Sequence, residues 1–571
     1  MKKPLITFEN FSFQYKAQKT PTLKNINLTL YEGEKVLIVG ASGSGKSSLG
    51  HCINGLAPFF YKGEMKGRLS IHHQEAKTMT IFERSNQVGT VLQDPDSQFI
   101  GLTVGEDIAF KLENECENQK VMQEKVWEAA CKVGIEKHLG TSPNRLSGGQ
   151  KQRVSLAGVM VRELDILLFD EPLASLDPHT GKQAMTLIDD LCTQTNKTMI
   201  IIEHRLEDVL HANIDRIIVM REGEIVADYP PNKLLTTPIL EEEGIREPLY
   251  ITAMKYAGCT LTDTMPLDHV DKLPIEAIQE PLQKWVLPTP QSPQAYTPLL
   301  QFENVGFAYE SGKNVLKDVH FTIGKGEMMS IIGKNGAGKS TLSKLISGFY
   351  QPTTGRIVLE GEDMAPLTIK ERAEKIGVVL QNPNQMISKT QLFDEVALGL
   401  RIRGIDEARI TERVHETLKI CGLYPFRNWP ISALSYGQKK RVTIASILVL
   451  EPQIIILDEP TAGQDFKHYT EMMEFLKQLN AGGMTIIMIT HDMHLMLEYT
   501  QRAIVLSEGT QLADTTPSRV LTQPELIQAA SLKETSLFTL ANRVGIKDPL
   551  AFIEGFIKED RRIRTSCHKQ C

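Results

Sequence analysis

An α/β architecture in two copies is what this 571-residue sequence predicts, and three patterns carry the prediction. Short uninterrupted apolar runs, Val36–Val39, Ile166–Phe169 and Met199–Ile202, then Ile331–Ile332, Ile454–Leu457 and Ile486–Ile489, are separated by helical segments. Such runs belong to strands buried on both faces, hence to a parallel sheet covered by helices. Ahead of them in each half, alternation from Ile6 to Tyr15 and from Leu300 to Tyr309 predicts antiparallel strands. Third, a set of chemically distinctive residues recurs at nearly constant spacing. Lys46 and Lys339 are 293 apart; Gln93/Gln381, Ser147/Ser435 and Asp170/Asp458 are 288 apart; His204 and His491 are 287 apart.

A chain of this length exceeds one hydrophobic core. The repeat divides it into residues 1–262, a linker over 263–298 with five prolines between 281 and 298, and residues 299–571. The correspondence reaches into the tails, where Leu235-Thr236-Thr237-Pro238 answers Leu521-Thr522-Gln523-Pro524. Ile275, Ile278, Leu282 and Trp285 leave open a second reading of the linker, an ordered strap docked on a domain. Between each glutamine and its Leu-Ser-X-Gly-Gln run, segments such as Val121–Val133 and Glu407–Cys421 predict a small helical subdomain.

Composition narrows the class. With 41% hydrophobic and 23% charged residues, the chain reads as globular. No apolar stretch approaches the ~20 residues that span a bilayer, and Met1-Lys2-Lys3-Pro4 leads directly into a strand pattern. A cytoplasmic chain is expected. The net charge of −7 argues against nucleic acid as a partner, since phosphate contacts demand a basic surface. Eight cysteines without a Cys-x-x-Cys pair read as reduced thiols rather than metal ligands or disulfides.

Two glycine loops follow buried strands: Gly40-Ala41-Ser42-Gly43-Ser44-Gly45-Lys46-Ser47 and Gly333-Lys334-Asn335-Gly336-Ala337-Gly338-Lys339-Ser340. Both match G-x-x-x-x-G-K-[ST], the P-loop whose amides cradle phosphate oxygens at a helix N-terminus. ATP is the expected substrate, with Lys46 and Lys339 on its phosphates and Ser48 and Thr341 completing each loop. Ser47 and Ser340 are the expected Mg²⁺ ligands, together with Asp170 and Asp458 at strand ends. Glu171 and Glu459, one residue further on, are placed to polarise the attacking water.

Leu146-Ser147-Gly148-Gly149-Gln150 gives the set a family likeness: both halves resemble ATP-binding cassette ATPases almost end to end. That resemblance implies two P-loop NTPase cassettes, each with a parallel sheet core, an antiparallel β subdomain and a helical subdomain. It implies further that each signature closes on the nucleotide held by the opposite half. Ser147–Gln150 would then complete the site of Lys339, Glu459 and His491, and Leu434-Ser435-Tyr436-Gly437-Gln438 that of Lys46, Glu171 and His204. No homodimer would be required. Tyr436 departs from the pattern, and either points away or slows the half-site it completes. By the same resemblance Tyr15 and Tyr309 stack on adenine, and Gln93 and Gln381 sense the γ-phosphate and Mg²⁺. His204 and His491 contact the γ-phosphate, while Asp177 and Asp465 belong to a loop that links the halves.

The stretches Asp94-Pro95-Asp96-Ser97-Gln98 and Asn382-Pro383-Asn384-Gln385 look like those of energy-coupling factor ATPases. Two fused cassettes with Glu203-His204-Arg205-Leu206-Glu207-Asp208 in the first are most similar to hydroxymethylpyrimidine/thiamine-precursor importers. The implied partners are a transmembrane coupling subunit and a substrate-capture membrane subunit, at the cytoplasmic face of the cell membrane. Tandem sugar-import ATPases and soluble translation factors acting on ribosomes are the alternatives.

Overall fold

The computed structural model describes residues 3–92, 98–162, 164–174, 176–285, 296–309, 312 and 314–568. The chain resolves into two compact units, Met1–Trp285 with Asp465–Lys467 in the first and Val286–Gln464 with His468–Cys571 in the second.

The first unit opens with β1 (Pro4–Tyr15), β2 (Leu23–Tyr31), β3 (Lys35–Gly40), α1 (Lys46–Asn54), β4 (Gly63–Ile71), β5 (Gln74–Glu75) and β6 (Val88–Val91). Its middle is helical: α2 (Val104–Asn114), α3 (Gln119–Val133) and α4 (Gly148–Met160). Then follow β7 (Ile166–Asp170), α5 (Pro178–Thr195), β8 (Thr198–Ile202), β9 (Arg216–Arg221) and β10 (Glu224–Tyr229). One sheet is antiparallel, ordered β2-β1-β4-β5, and the other runs β10-β9-β3-β8-β7-β6. Within the second sheet only the β9–β10 pair is antiparallel.

The six-stranded sheet explains the apolar runs. Every residue of β3 and β8 is buried, and one face packs on α1 and the antiparallel sheet. In β1 the alternation puts Ile6, Phe8, Phe11 and Phe13 into a core shared with Leu49, Cys52 and Ile53 of α1. That core fixes the phosphate-loop helix. Buried Arg84 strengthens the anchor, donating Nη1 to the Cys52 carbonyl at 2.7 Å at the C-terminal end of α1 and Nη2 to the Ala76 carbonyl.

Beyond β10 the first unit carries α6 (Leu249–Tyr256) and α7 (Ile275–Lys284). The stretch read as a linker is therefore helical and packed over part of its length: Ile278 and Leu282 are buried, and the Cys259 thiol contacts the Ile278 carbonyl. Residues 286–295 lie outside the described residues.

The second unit repeats the plan with β11 (Pro298–Ala308), β12 (Asn314–Gly324), β13 (Met328–Ile332), α8 (Lys339–Ile346), β14 (Thr354–Leu359), β15 (Glu362–Asp363) and β16 (Ile376–Val379). Its helical part is α9 (Leu392–Ile402), α10 (Glu407–Ile420) and α11 (Tyr436–Leu448). The sheet closes with β17 (Ile454–Asp458), β18 (Thr485–Ile489), β19 (Arg502–Ser507) and β20 (Thr510–Thr515). Strand orders are β12-β11-β14-β15 and β16-β17-β18-β13-β19-β20, as in the first unit. Buried Arg372 repeats the role of Arg84, donating to the Leu345 carbonyl at 2.9 Å and the Met364 carbonyl at 2.6 Å. Among the described residues no helix is long and apolar enough to cross a membrane.

Candidate active site

Both loops turn at the end of the central strand, β3 or β13. Gly40 and Gly333 are glycine by necessity: a Cβ would come within 2.3 Å of the Met220 carbonyl oxygen or 2.1 Å of that of Leu506. Gly45 and Gly338 hold left-handed φ of 102° and 105° and begin α1 and α8 without a capping side chain. Neither helix has an acidic residue in its first turn. The amides there are thus available to an anion, with the positive end of the helix dipole behind them.

Lys46 donates Nζ to the Gly40 and Ala41 carbonyls at 2.8 and 2.9 Å, and Lys339 to those of Gly333 and Lys334 at 2.6 and 3.0 Å. Burial pushes the Lys46 ammonium down to about 8 against the pull of Glu171. Among the described residues, buried Ser44 Oγ has no hydrogen-bond partner, a polar atom suited to a phosphate at the loop. Lys334, expected to hold nucleotide, pairs its ammonium with Glu508 at 2.9 Å. The tyrosine hydroxyls reach the same helix starts, Tyr15 to Ser48 Oγ at 2.9 Å and Tyr309 to Thr341 Oγ1 at 3.2 Å.

Strand register brings the acidic pair to the histidine. Asp170 lies opposite Ile202 and Asp458 opposite Ile489, so the next residues meet at the sheet edge. Glu171 and Glu459 both adopt left-handed backbone, φ 48° and 46°, and both donate N–H to the last carbonyl of the neighbouring strand at 2.8 Å. Such a conformation costs a non-glycine residue on the order of 1 kcal/mol or more, and here it swings each carboxylate across the strand end. Glu171 Oε1 lies 2.9 Å from His204 Nε2; Glu459 Oε1 lies 2.6 Å from His491 Nδ1. Burial raises Glu459, but His491, Lys339 and Thr490 outweigh it and leave its carboxyl below the ordinary value.

Ser47 Oγ and Asp170 Oδ1 are 3.3 Å apart at the start of α1, an oxygen pair that suits Mg²⁺. Among the described residues no three His, Cys, Asp or Glu side chains form a metal cluster by themselves. A bound magnesium would therefore need substrate oxygens as well as Ser47 and Asp170. Burial first, and the adjacent glutamate second, push Asp170 and Asp458 up to about 6. A raised carboxyl favours the folded state at low pH and loses that contribution as pH rises through about 6. Without metal or nucleotide, Asp170→Asn is expected to stabilise the protein at pH 8 relative to pH 5, by on the order of 1–2 kcal/mol. Thermal unfolding of both proteins at the two pH values measures it.

Ser147 and Ser435 cap α4 and α11. Each closes a capping box with Gln150 or Gln438: the glutamine N–H donates to the serine Oγ at 3.4 or 3.3 Å, and the serine N–H to the glutamine Oε1 at 2.9 Å. Ser-x-x-Gln is thus a helix start as well as a family mark, a signal the sequence offered. Gly148, Gly149 and Gly437 lie in the first turns of these helices. The Tyr436 hydroxyl donates to the Gln381 carbonyl at 3.4 Å, a contact within the second unit. Gln93 lies outside the described residues. Asp177 caps α5, accepting from Thr180 N–H at 2.9 Å. Sequence reasoning gave no site role to Gln152, Glu203, Lys440 or Thr490, all of them buried.

Comparison with known proteins places the chain in a family. A family model described as ABC transporter matches residues 23–174 and 316–462. A second, described as ATP-binding cassette cobalt transporter, matches residues 237–307, across the tail of the first unit and the stretch read as linker. The chain is 59% identical to a protein of Clostridium perfringens named as an ABC transporter ATP-binding protein, over 99% of this chain and 100% of that one. A protein of the same description from Enterococcus faecalis is also 59% identical, with the same coverage. The solved structure of cbiO1 from Clostridium perfringens, described as part of the ABC transporter complex cbiONQ, is 35% identical. It covers 40% of this chain and 93% of its own, with a TM-score of 0.38. The fold and site define a two-cassette P-loop ATPase. The chain belongs to the ATP-binding subunits of ABC transporters, as a tandem member with the cobalt-type intervening segment.

Proposed function

We propose that this chain drives a membrane importer of the energy-coupling type, hydrolysing ATP at two sites on the cytoplasmic face of the membrane. The observation that carries the reading is the duplicated strand-end constellation, Glu171 with His204 and Glu459 with His491, each next to an intact phosphate loop. Lys46 and Lys339 would bind the phosphates, the first-turn amides of α1 and α8 would hold their oxygens, and Tyr15 and Tyr309 would carry the adenine. Ser47, Asp170 and Gln93 would hold Mg²⁺ in one half, and Ser340, Asp458 and Gln381 in the other. When bound, the ion supplies charge neutralisation on the transferring phosphate. Glu171 and Glu459 orient the attacking water, with His204 and His491 fixing each carboxylate. By resemblance to paired cassettes, each site is completed by the opposite signature.

A transmembrane partner is supported by apolar side chains left exposed in both units. Phe60, Ile100 and Leu102 are 71, 66 and 81% exposed in the first unit; Phe349 and Ile402 are 64 and 72% exposed in the second. The cargo would be a micronutrient recognised by the membrane partners. The sequence likeness points to a hydroxymethylpyrimidine or thiamine precursor, and the description of the intervening segment to cobalt.

Affinity purification from detergent-solubilised cells tests the reading. Recovery with integral membrane proteins, and ATP-dependent uptake of radiolabelled cobalt or thiamine precursor that stops in Glu171→Gln/Glu459→Gln cells, is the expected result. Recovery with ribosomes, in a salt-sensitive complex without membrane proteins, would overturn it.

A further inference from the structure

The two glutamates are held by different neighbours. In the second unit Lys440, 1% exposed, donates Nζ to the Glu459 carbonyl at 2.6 Å. Thr490, fully buried, donates Oγ1 to Glu459 Oε2 at 3.1 Å, and that hydroxyl accepts from Asp492 N–H at 2.9 Å. The other oxygen, Oε1, accepts from His491 N–H at 3.1 Å and from its ring at 2.6 Å. Both oxygens of Glu459 are therefore tethered, with a buried cation on the same residue's carbonyl.

In the first unit the equivalent positions carry Gln152 and Glu203. The Gln152 amide donates to the Pro172 carbonyl at 2.5 Å. Glu203 accepts from Leu173 N–H at 3.0 Å and from His204 and Arg205 N–H at 2.8 and 3.3 Å. There the side chain that replaces Thr490 braces the following loop.

We propose that Thr490 is a positioning residue of the second cassette alone. Its hydroxyl fixes the rotation of the Glu459 carboxylate while each oxygen keeps lone-pair capacity for a water. The inference rests on the reading of Glu459 as the group that orients the attacking water.

Steady-state ATPase kinetics on the full chain test it. Thr490→Val, which removes the hydroxyl and keeps the shape, is expected to lower kcat about tenfold with KM for ATP unchanged. Thr490→Ser is expected to keep kcat within about twofold, and Thr490→Ala, a second variant in case valine impairs folding, to repeat the loss. In a Glu459→Gln chain, Thr490→Val should add no further loss. An unchanged kcat in both Thr490→Val and Thr490→Ala, or the same fold loss with Glu459→Gln already present, overturns the proposal. Full turnover by Glu459→Gln alone would instead remove the reading beneath it.

Discussion

A chain carrying both Lys46→Ala and Lys339→Ala is expected to lose ATP turnover by roughly 10³-fold or more, and ATP-driven uptake with it, while remaining folded. Each ammonium lies within 3.0 Å of two carbonyls of its own loop, where it converts acceptors that would repel phosphate into a cationic pocket. Alanine leaves the glycine turns and the helix amides in place but removes the only charge inside the loop sequence that burial holds there in the first unit. Burying Lys46 costs stability at neutral pH, as the lowered pKa indicates, and this offsets the two hydrogen bonds lost. The unfolding temperature should therefore stay within a few degrees of the parent chain. Phosphate release and thermal unfolding on one preparation decide the matter. Retained turnover would show that neither loop is the working site.

The parts of the site that chemistry demands in a fixed type and spacing were legible in the sequence. Phosphate loops, strand-end carboxylates and histidines recur because amide donors, a cation and a base cannot be replaced by other residues. The strands were legible for a similar reason, since burial on both faces leaves only Ile, Leu, Met and Phe in β7, β8, β17 and β18 apart from their terminal polar residues. Lys440 and Gln152 escaped notice because they sit within polar runs after the signatures that read as solvent-facing. Their burial follows from the packing of α4 and α11 against the turn after the acidic pair, which no local pattern records. Glu203 was read as a mark of likeness, and its three backbone contacts depend on strand register. The helix Ile275–Lys284 was obscured by its own Pro281, a residue that costs an interior helical bond. Burial of Ile278 and Leu282 outweighs that cost.

In a cycle that needs both sites for each turnover, the differences around the two glutamates lead to unequal losses: Glu459→Gln is expected to reduce turnover by about 10²-fold or more, and Glu171→Gln by about tenfold. Glu459 is held as an anion, below its ordinary pKa, by His491, Lys339 and Thr490 acting against burial. Lys440 sits on its carbonyl, adding positive charge where negative charge accumulates as a water is deprotonated. Glu171 has a second buried carboxylate in its neighbourhood, Glu203, and burial keeps that group's pKa raised. Its Thr490 counterpart is thus spent on the loop after the acidic pair, where it accepts from the Leu173, His204 and Arg205 N–H groups. Glutamine keeps size and hydrogen bonding but cannot take up a proton, so each substitution reports mainly on the carboxylate it replaces. The more strongly organised carboxylate has more to lose. Phosphate release by the two single variants, at saturating ATP and magnesium, separates the cases. Equal losses, or a larger loss from Glu171→Gln, would mean that the neighbours of Glu459 tether it without preparing it for catalysis.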